Sequence, residues 1–117
     1  MSDETTDCLF CKFVSRELET DVVLETDSSL AFRDIAPQAP THVLVVPKAH
    51  HATVAELARA DADALADLMR TAADVADSEG LGGGHRLVFN TGPDALQSVH
   101  HVHAHVIGGR TLTWPPG

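Results

Sequence analysis

The chain has 117 residues, of which 44% are hydrophobic and 21% are charged, a length typical of one compact domain. Its 8 Lys and Arg residues against 17 Asp and Glu residues give a net charge of −9, which disfavours a broad binding surface for nucleic acid or an anionic membrane. No stretch reaches the about 20 apolar residues of a spanning helix, and residues 1–7 lack a leader pattern, so we expect a cytoplasmic protein.

Hydrophobic patterning predicts the secondary structure in chain order. Five segments carry the short apolar or β-branched patterns of strands: 22–25, 30–33, 42–46, 87–90 and 99–107. Between the third and fourth, apolar residues spaced three and four apart over 54–79 predict a short helical turn and then a principal helix from about residue 61, which ends at Gly80. The pattern indicates an α+β fold with an antiparallel sheet. No linker or repeat divides the chain, so we expect a single domain over 1–117.

Histidine is the most informative residue type of this chain. Of its 8 histidines, four are clustered at positions 100, 101, 103 and 105. Side chains alternate between the faces of a strand, so on a continuous strand His101, His103 and His105 would share one face and apolar neighbours the other. Isolated histidines are more often structural, and we assign His42 and His85 to that class.

Three imidazoles on one face suit two chemistries. They can bind a zinc ion, as in zinc hydrolases, or one neutral imidazole can attack phosphorus while its neighbours stabilise charge and protonate the leaving group. Consecutive same-face residues of a strand are about 6.5 to 7 Å apart, so they converge on one ion only with distortion. The spacing therefore favours nucleophilic catalysis by the middle histidine, His103.

The sequence around these histidines resembles the histidine triad (HIT) superfamily. The His-x-His-x-His run at 101–105 has the apolar spacers of that family, and several flanking segments resemble the histidine triad nucleotide-binding (Hint) branch. They are Phe-Arg-Asp-Ile at 32–35, Pro-Gln-Ala-Pro-Thr-His at 37–42, Val-Pro-Lys at 46–48, Gln-Ser-Val at 97–99, Gly-Gly-Arg at 108–110 and Trp-Pro-Pro-Gly at 114–117. The resemblance covers 8–117 and implies a HIT-like fold, with a five-stranded antiparallel sheet, one principal helix and a short N-terminal helix.

The resemblance also implies an activity, namely metal-independent hydrolysis of purine nucleoside 5′-phosphoramidates such as adenosine 5′-monophosphoramidate. His103 would attack the α-phosphorus and form a nucleotidyl-histidine intermediate, His105 would contact the phosphoryl oxygens or the leaving group, and His101 would orient the site. Ser98 completes the predicted catalytic set. The predicted nucleotide-binding residues are Phe32, Asp34, Ile35, Asn90, Gln97, Ser98, Val99, His103 and His105.

Two other functions stay open at this point. One is hydrolysis of dinucleoside polyphosphates within the same superfamily, and the other is a non-catalytic nucleotide-binding adaptor. The resemblance further implies a homodimer, in which residues 114–117 of one subunit lie near the site of its partner. Leu96 departs from the family pattern, which commonly has glycine there, so we expect a differently shaped phosphate loop.

Cys8 and Cys11 have the two-residue spacing with which two thiolates bind one Zn²⁺. The same pair also fits two reduced, unliganded cysteines. A redox role is less favoured, because no strand followed by a helix surrounds the pair. Resemblance to bacterial members of the superfamily implies that His50 and His101 complete a zinc tetrahedron. Such a zinc would be structural and would tie the N-terminus to the sheet, and catalysis would require no cofactor.

Overall fold

The computed structural model describes residues 7–117. Its five antiparallel strands are β1 (Val22–Glu25), β2 (Ser29–Arg33), β3 (Thr41–Pro47), β4 (His85–Phe89) and β5 (Ala104–Gly108), which lie in the sheet order β1-β2-β3-β5-β4. The helices are α1 (Leu9–Val14), α2 (Val54–Ala60) and α3 (Ala62–Ser78), and a single 3₁₀ turn spans Pro93–Ala95. This arrangement confirms the predicted α+β fold, including the principal helix and the short N-terminal helix.

Helix α3 packs on one face of the sheet. It begins where the Asp61 carboxylate accepts a hydrogen bond from the backbone N–H of Ala64, and it ends at Gly80, whose φ of +73° suits glycine. The apolar side of α3 buries Leu68, Ala72 and Val75 against alternate residues of the sheet, namely Ala31, Val43, Val45, Ala104 and Val106. The face of the sheet that α3 covers is therefore hydrophobic core.

Within residues 7–117, no helix combines the length and apolar character needed to cross a bilayer.

Helix α1 lies on the opposite face of the sheet. Its Phe10 packs with Leu30, Phe32, Leu44 and Val46, the residues of β2 and β3 that alternate with those facing α3. Strand β3 is buried along its whole length, as its continuous apolar run predicts. This second core is smaller, and the space that it leaves beside β5 contains the histidines.

The prediction of one long strand over 99–107 is wrong in its first half, because β5 begins only at Ala104. Two hydrogen bonds replace sheet pairing in the residues just before Ala104. The N–H of Val102 donates to the carbonyl oxygen of His51 at 2.7 Å, and the carbonyl oxygen of His101 accepts from the ring of His103 at 2.8 Å. His101 and His103 therefore lie in an irregular segment before the strand, and strand alternation does not determine where their side chains point.

Candidate active site

A cavity of about 280 Å³ opens between α1 and the end of β5. The sequence-predicted residues that line it are Phe32, Asp34, Ile35, Ser98, Val99, His103 and His105. Asn90 and Gln97 are not among the described residues that line this cavity, and His101 lies fully buried behind it. The structure thus brings most of the predicted nucleotide site together around two imidazoles.

His103 is held with one ring nitrogen towards the cavity. Its Nδ1 lies 2.8 Å from the carbonyl oxygen of His101, so Nδ1 carries the hydrogen and donates it. The lone pair is then on Nε2. The ring is only 8% exposed and meets the edge of the Phe10 ring at a centroid distance of 5.0 Å. Burial lowers the pKa of His103, so the imidazole is neutral at pH 7 and carries a lone pair suited to nucleophilic attack.

His105 is oriented by a chain of hydrogen bonds that begins at the backbone of Gln38. The Gln38 N–H donates to His42 Nδ1 at 3.0 Å, which leaves the hydrogen of His42 on Nε2. That Nε2 lies 2.9 Å from His105 Nδ1, which must therefore accept. The hydrogen of His105 is then on Nε2, a buried atom with no partner among the described residues. This N–H is an unused donor, and the His105 side chain lines the cavity.

The same surroundings keep His105 uncharged in the unliganded protein. Burial, followed by the neighbouring rings of His103 and His42, lowers the pKa of His105 to about 4, and the carboxylate of Asp34 opposes this shift. Asp34 lies 3.5 Å from His42 Nε2. An anionic phosphate in the cavity would favour the charged form of His105, because an opposite charge nearby raises the pKa of an imidazole.

His42 is the site residue that sequence reasoning missed, since it had been assigned a structural role. Residue pairing of β3 with β5 places Leu44 opposite His105, and the His42 ring then reaches His105 diagonally from two pairs further along. Asp34, His42 and His105 also lie close enough to hold a cation. However, the Gln38 N–H keeps the hydrogen of His42 on the nitrogen that would have to ligate, so the trio functions better as a hydrogen-bond relay.

A second cluster lies behind the cavity and consists of Cys8, Cys11, His50 and His101. Their candidate ligand atoms all lie within 4.8 Å of one another. His101 Nδ1 is 3.4 Å from each sulfur and 3.2 Å from His50 Nδ1. Two thiolates with two imidazoles are a donor set suited to tetrahedral Zn²⁺, so these residues fit the metal.

The outer hydrogen bond of His101 supports the same conclusion. His101 Nε2 lies 2.7 Å from the carbonyl oxygen of Pro47, so it carries the hydrogen and the Nδ1 lone pair faces the two cysteines. Burial lowers the pKa of His101 to about 4, which keeps the ring neutral, as a ligand must be. His101 therefore turns its lone pair towards the sulfurs, while its backbone carbonyl orients His103.

The loop between β4 and the histidines is fixed by the side chain of Gln97. Its amide nitrogen donates to the carbonyl oxygens of Ala52 at 2.7 Å and Val99 at 3.1 Å, and its amide oxygen accepts from the N–H of Gly92 at 2.9 Å. Gln97 therefore holds the loop in place, whereas Ser98 and Val99 are the residues of this loop that line the cavity.

Leu96 lies at the tip of this loop in the left-handed conformation, with φ +62° and ψ +37°. Glycine adopts this conformation readily, whereas a residue with a Cβ pays about 1 kcal/mol or more. The side chain is 83% exposed and gains little packing in return. The loop thus takes a glycine-favoured backbone conformation despite the leucine, at a cost in stability.

Three comparisons with known proteins agree on the family. The HIT domain family matches residues 15–112. A 14 kDa zinc-binding protein of Brassica juncea is 47% identical over 114 residues, which cover 95% of this chain and 100% of the relative. Adenylylsulfatase HINT1 of Arabidopsis thaliana is 47% identical over 112 residues, covering 93% of this chain and 76% of the relative. The crystal structure of a HIT family hydrolase from Legionella pneumophila is 48% identical, with a TM-score of 0.91, and covers 95% of this chain and 100% of that one.

Proposed function

The chain belongs to the HIT domain family, and we propose that it is a Hint-branch phosphoramidase that hydrolyses purine nucleoside 5′-phosphoramidates to the nucleoside monophosphate and an amine. One observation carries this proposal. The His103 ring is fixed with its Nε2 lone pair available, beside a His105 ring whose Nε2–H is an available donor. A nucleophile next to a proton donor is what covalent transfer of a nucleotidyl group requires.

The nucleoside would bind beside β2. Asp34 can accept hydrogen bonds from ribose hydroxyls, and its Oδ1 already accepts the Ala36 N–H at 2.8 Å, which fixes the carboxylate. Ile35, which is 96% exposed at the rim of the cavity, offers an apolar surface to a purine, and Phe32 lies deeper. Ser98 lies on the far side of the cavity, where its hydroxyl can donate to a phosphate oxygen.

In the first step, His103 Nε2 attacks the α-phosphorus and the P–N bond breaks. The phosphate anion favours the protonated form of His105, in which Nδ1 also carries a hydrogen, so the His42 Nε2–H donates to Asp34 Oδ2, 3.5 Å away, instead of to His105. This imidazolium gives its Nε2 proton to the departing nitrogen. The amine leaves neutral, and His103 becomes a nucleotidyl-imidazolium that still donates from Nδ1 to the carbonyl oxygen of His101.

In the second step, a water molecule attacks the phosphorus and gives a proton to His105. The bond from phosphorus to His103 Nε2 breaks, and the ring returns to its neutral form with the hydrogen on Nδ1. One water is consumed, and the nucleoside monophosphate leaves. No metal takes part in either step.

We infer a structural role for zinc at the cluster of Cys8, Cys11, His50 and His101. When bound, the ion supplies a crosslink between α1, the segment after β3 and the segment before β5. The 14 kDa zinc-binding relative supports this role. We also retain the homodimer as a proposal from the family resemblance; sedimentation as a monomer at micromolar concentration would contradict it.

The adenylylsulfatase relative suggests a second substrate class, adenylyl sulfate. The same attack by His103 on the α-phosphorus would expel sulfate, which leaves as an anion and needs no proton. His105 should therefore matter much less for this substrate than for a phosphoramidate. The two substrates distinguish proton donation by His105 from simple contact with the phosphate.

The test measures hydrolysis of adenosine 5′-phosphoramidate and adenylyl sulfate in the presence of a chelator. The His103→Ala variant should lose turnover of both substrates by at least about 10³-fold, because the nucleophile is gone. His85→Ala serves as the matched control, since His85 is exposed on β4 and outside the cavity. If wild type binds nucleotide without turning over either substrate, the protein is an adaptor; if His103→Ala stays active, the covalent route is wrong.

A further inference from the structure

A second cavity, of about 440 Å³, adjoins the catalytic one. Both cavities are lined by Leu9, Ser98 and Val99, so they meet at the loop that precedes the histidines. The second cavity, here called the outer cavity, extends from these shared residues to Asp7, Cys8, His50 and His100. His103 and His105 are not among the described residues that line the outer cavity.

The position of the outer cavity relates it to the leaving group. This inference rests on the proposed function, in which the nucleoside lies against Phe32 and Asp34 and the phosphate lies between His103 and Ser98. The substituent on the departing nitrogen must extend from the phosphate away from the nucleoside. The space beyond Ser98 is the outer cavity, so a substituent of several atoms would enter it.

The charge of the outer cavity indicates which substituents it accepts. The described residues that line it include one carboxylate, that of Asp7, and no Lys or Arg side chain. The chain as a whole has a net charge of −9. A positive group in this cavity would be attracted to Asp7, and a negative group would be repelled.

We propose that the outer cavity binds the substituent of the leaving amine and selects amines that carry a second, positively charged group, such as the side chains of diamines. Asp7 is the specificity-determining residue. Ser98 and Val99 separate the nucleoside end of the cleft from this leaving-group end.

The test compares three N-substituted adenosine 5′-phosphoramidates of matched length, whose substituents end in an ammonium, a methyl or a carboxylate group. For wild type at low salt, kcat/KM should be at least about threefold higher for the ammonium than for the carboxylate substrate, as expected for one partly exposed charge pair. The Asp7→Asn variant should reduce this ratio to about one, because the charge is lost while the shape is kept. Asp74→Asn is the matched control, since this exposed residue of α3 lies on the other side of the sheet and loses the same charge.

Calorimetric binding of the same three compounds to His103→Ala, which cannot turn them over, separates the two proposals. If wild type turns the substrates over but its ammonium-to-carboxylate kcat/KM ratio equals that of Asp7→Asn, the outer cavity is not a charge-selective subsite. The phosphoramidase proposal would then still stand. If wild type turns over none of the compounds, the phosphoramidase proposal is wrong. If His103→Ala then still binds the ammonium compound more tightly than the carboxylate compound, and adding Asp7→Asn removes the difference, the subsite is supported. Equal loss in Asp74→Asn would show a long-range charge effect and overturn the assignment to Asp7.

Discussion

His101 and His105 lie on either side of His103 at equal distances along the chain, yet they face different partners. The ring of His101 donates from Nε2 to the carbonyl oxygen of Pro47 and turns Nδ1 towards two cysteines. The ring of His105 accepts at Nδ1 from His42, leaves Nε2 without a partner among the described residues, and lines the cavity. This difference fits the proposed roles of His101 as a metal ligand and of His105 as a donor to the substrate.

The difference shows that the role of a histidine is determined by the group that occupies its other nitrogen. The carbonyl oxygen at Nε2 leaves the Nδ1 lone pair of His101 for the proposed metal, whereas the donor at Nδ1 leaves the hydrogen of His105 on Nε2 for the proposed substrate. Neither partner is adjacent in sequence, because Pro47 and His42 both belong to β3. The central strand of the sheet thus determines which ring nitrogen of each outer histidine carries the hydrogen.

The largest expected effect is a separation of activity from zinc content. His105→Ala should lower kcat for the phosphoramidate by about 10²- to 10⁴-fold, because the leaving amine loses its acid, and zinc content should stay unchanged. His101→Ala should lower zinc content and thermal stability. Single-turnover kinetics and metal analysis of the purified variants test this. His101→Cys, which restores a ligand atom, should recover part of the zinc; equal zinc loss in His105→Ala would contradict the separation.

Removal of zinc should affect stability more than chemistry. The loaded protein should gain about 3 kcal/mol in its free energy of unfolding when free zinc is a hundredfold above its Kd, because the unfolded chain lacks the assembled site. Thermal unfolding with and without chelator measures the difference. The Cys11→Ser variant should show no response to the chelator. A Tm that is unchanged by chelator in a protein shown to contain zinc would refute the structural role.

A smaller effect is expected from the second histidine of the relay. His42→Asn removes the ring that donates to His105 Nδ1, so kcat should fall about tenfold, the value of one hydrogen bond in a partly buried site. Burial and neighbouring rings, including that of His42, lower the pKa of His105, so the variant should raise this pKa above about 4. Titration of the histidine resonances by NMR tests the direction; an unchanged pKa would mean that the relay does not control His105.

The smallest effect concerns the loop next to the site. Leu96→Gly should raise the free energy of unfolding by up to about 1 kcal/mol, because glycine adopts the left-handed conformation without the Cβ penalty. Leu96→Ala retains the Cβ and should give no such gain. Chemical denaturation of the three proteins measures both differences. If Leu96→Ala raised the free energy of unfolding as much as Leu96→Gly does, the exposed leucine side chain, rather than the left-handed backbone, would be what lowers the stability.

The sequence predicted most of the fold because its local signals agree with the tertiary structure. The continuous apolar run of β3 is buried on both faces, and Gly80 ends α3 as expected. The prediction of a strand over 99–107 failed because the Val102 N–H donates to the carbonyl oxygen of His51, which is distant in sequence, and β5 begins only at Ala104. The local spacing of apolar residues carries no information about such a hydrogen-bond partner.

The candidate site was predicted less completely for a related reason. The motif residues His103 and His105 both line the cavity, and Cys8 and Cys11 lie beside His101. His42 is the last residue of the 37–42 segment that resembles the Hint branch, but that segment gives the histidine no role of its own. Its contact with His105 depends on the pairing of β3 with β5, which a single sequence does not specify.

The central claim is that His103 Nε2 forms a covalent bond to phosphorus during turnover. Rapid acid-free quenching of the reaction with adenosine 5′-phosphoramidate, followed by intact-mass and peptide analysis, tests it most directly. We expect a transient nucleotidyl adduct on the peptide that contains His103, at the Nε2 position, formed and lost at rates compatible with kcat. Full turnover without any adduct on this peptide, or an adduct on His105 instead, would contradict it.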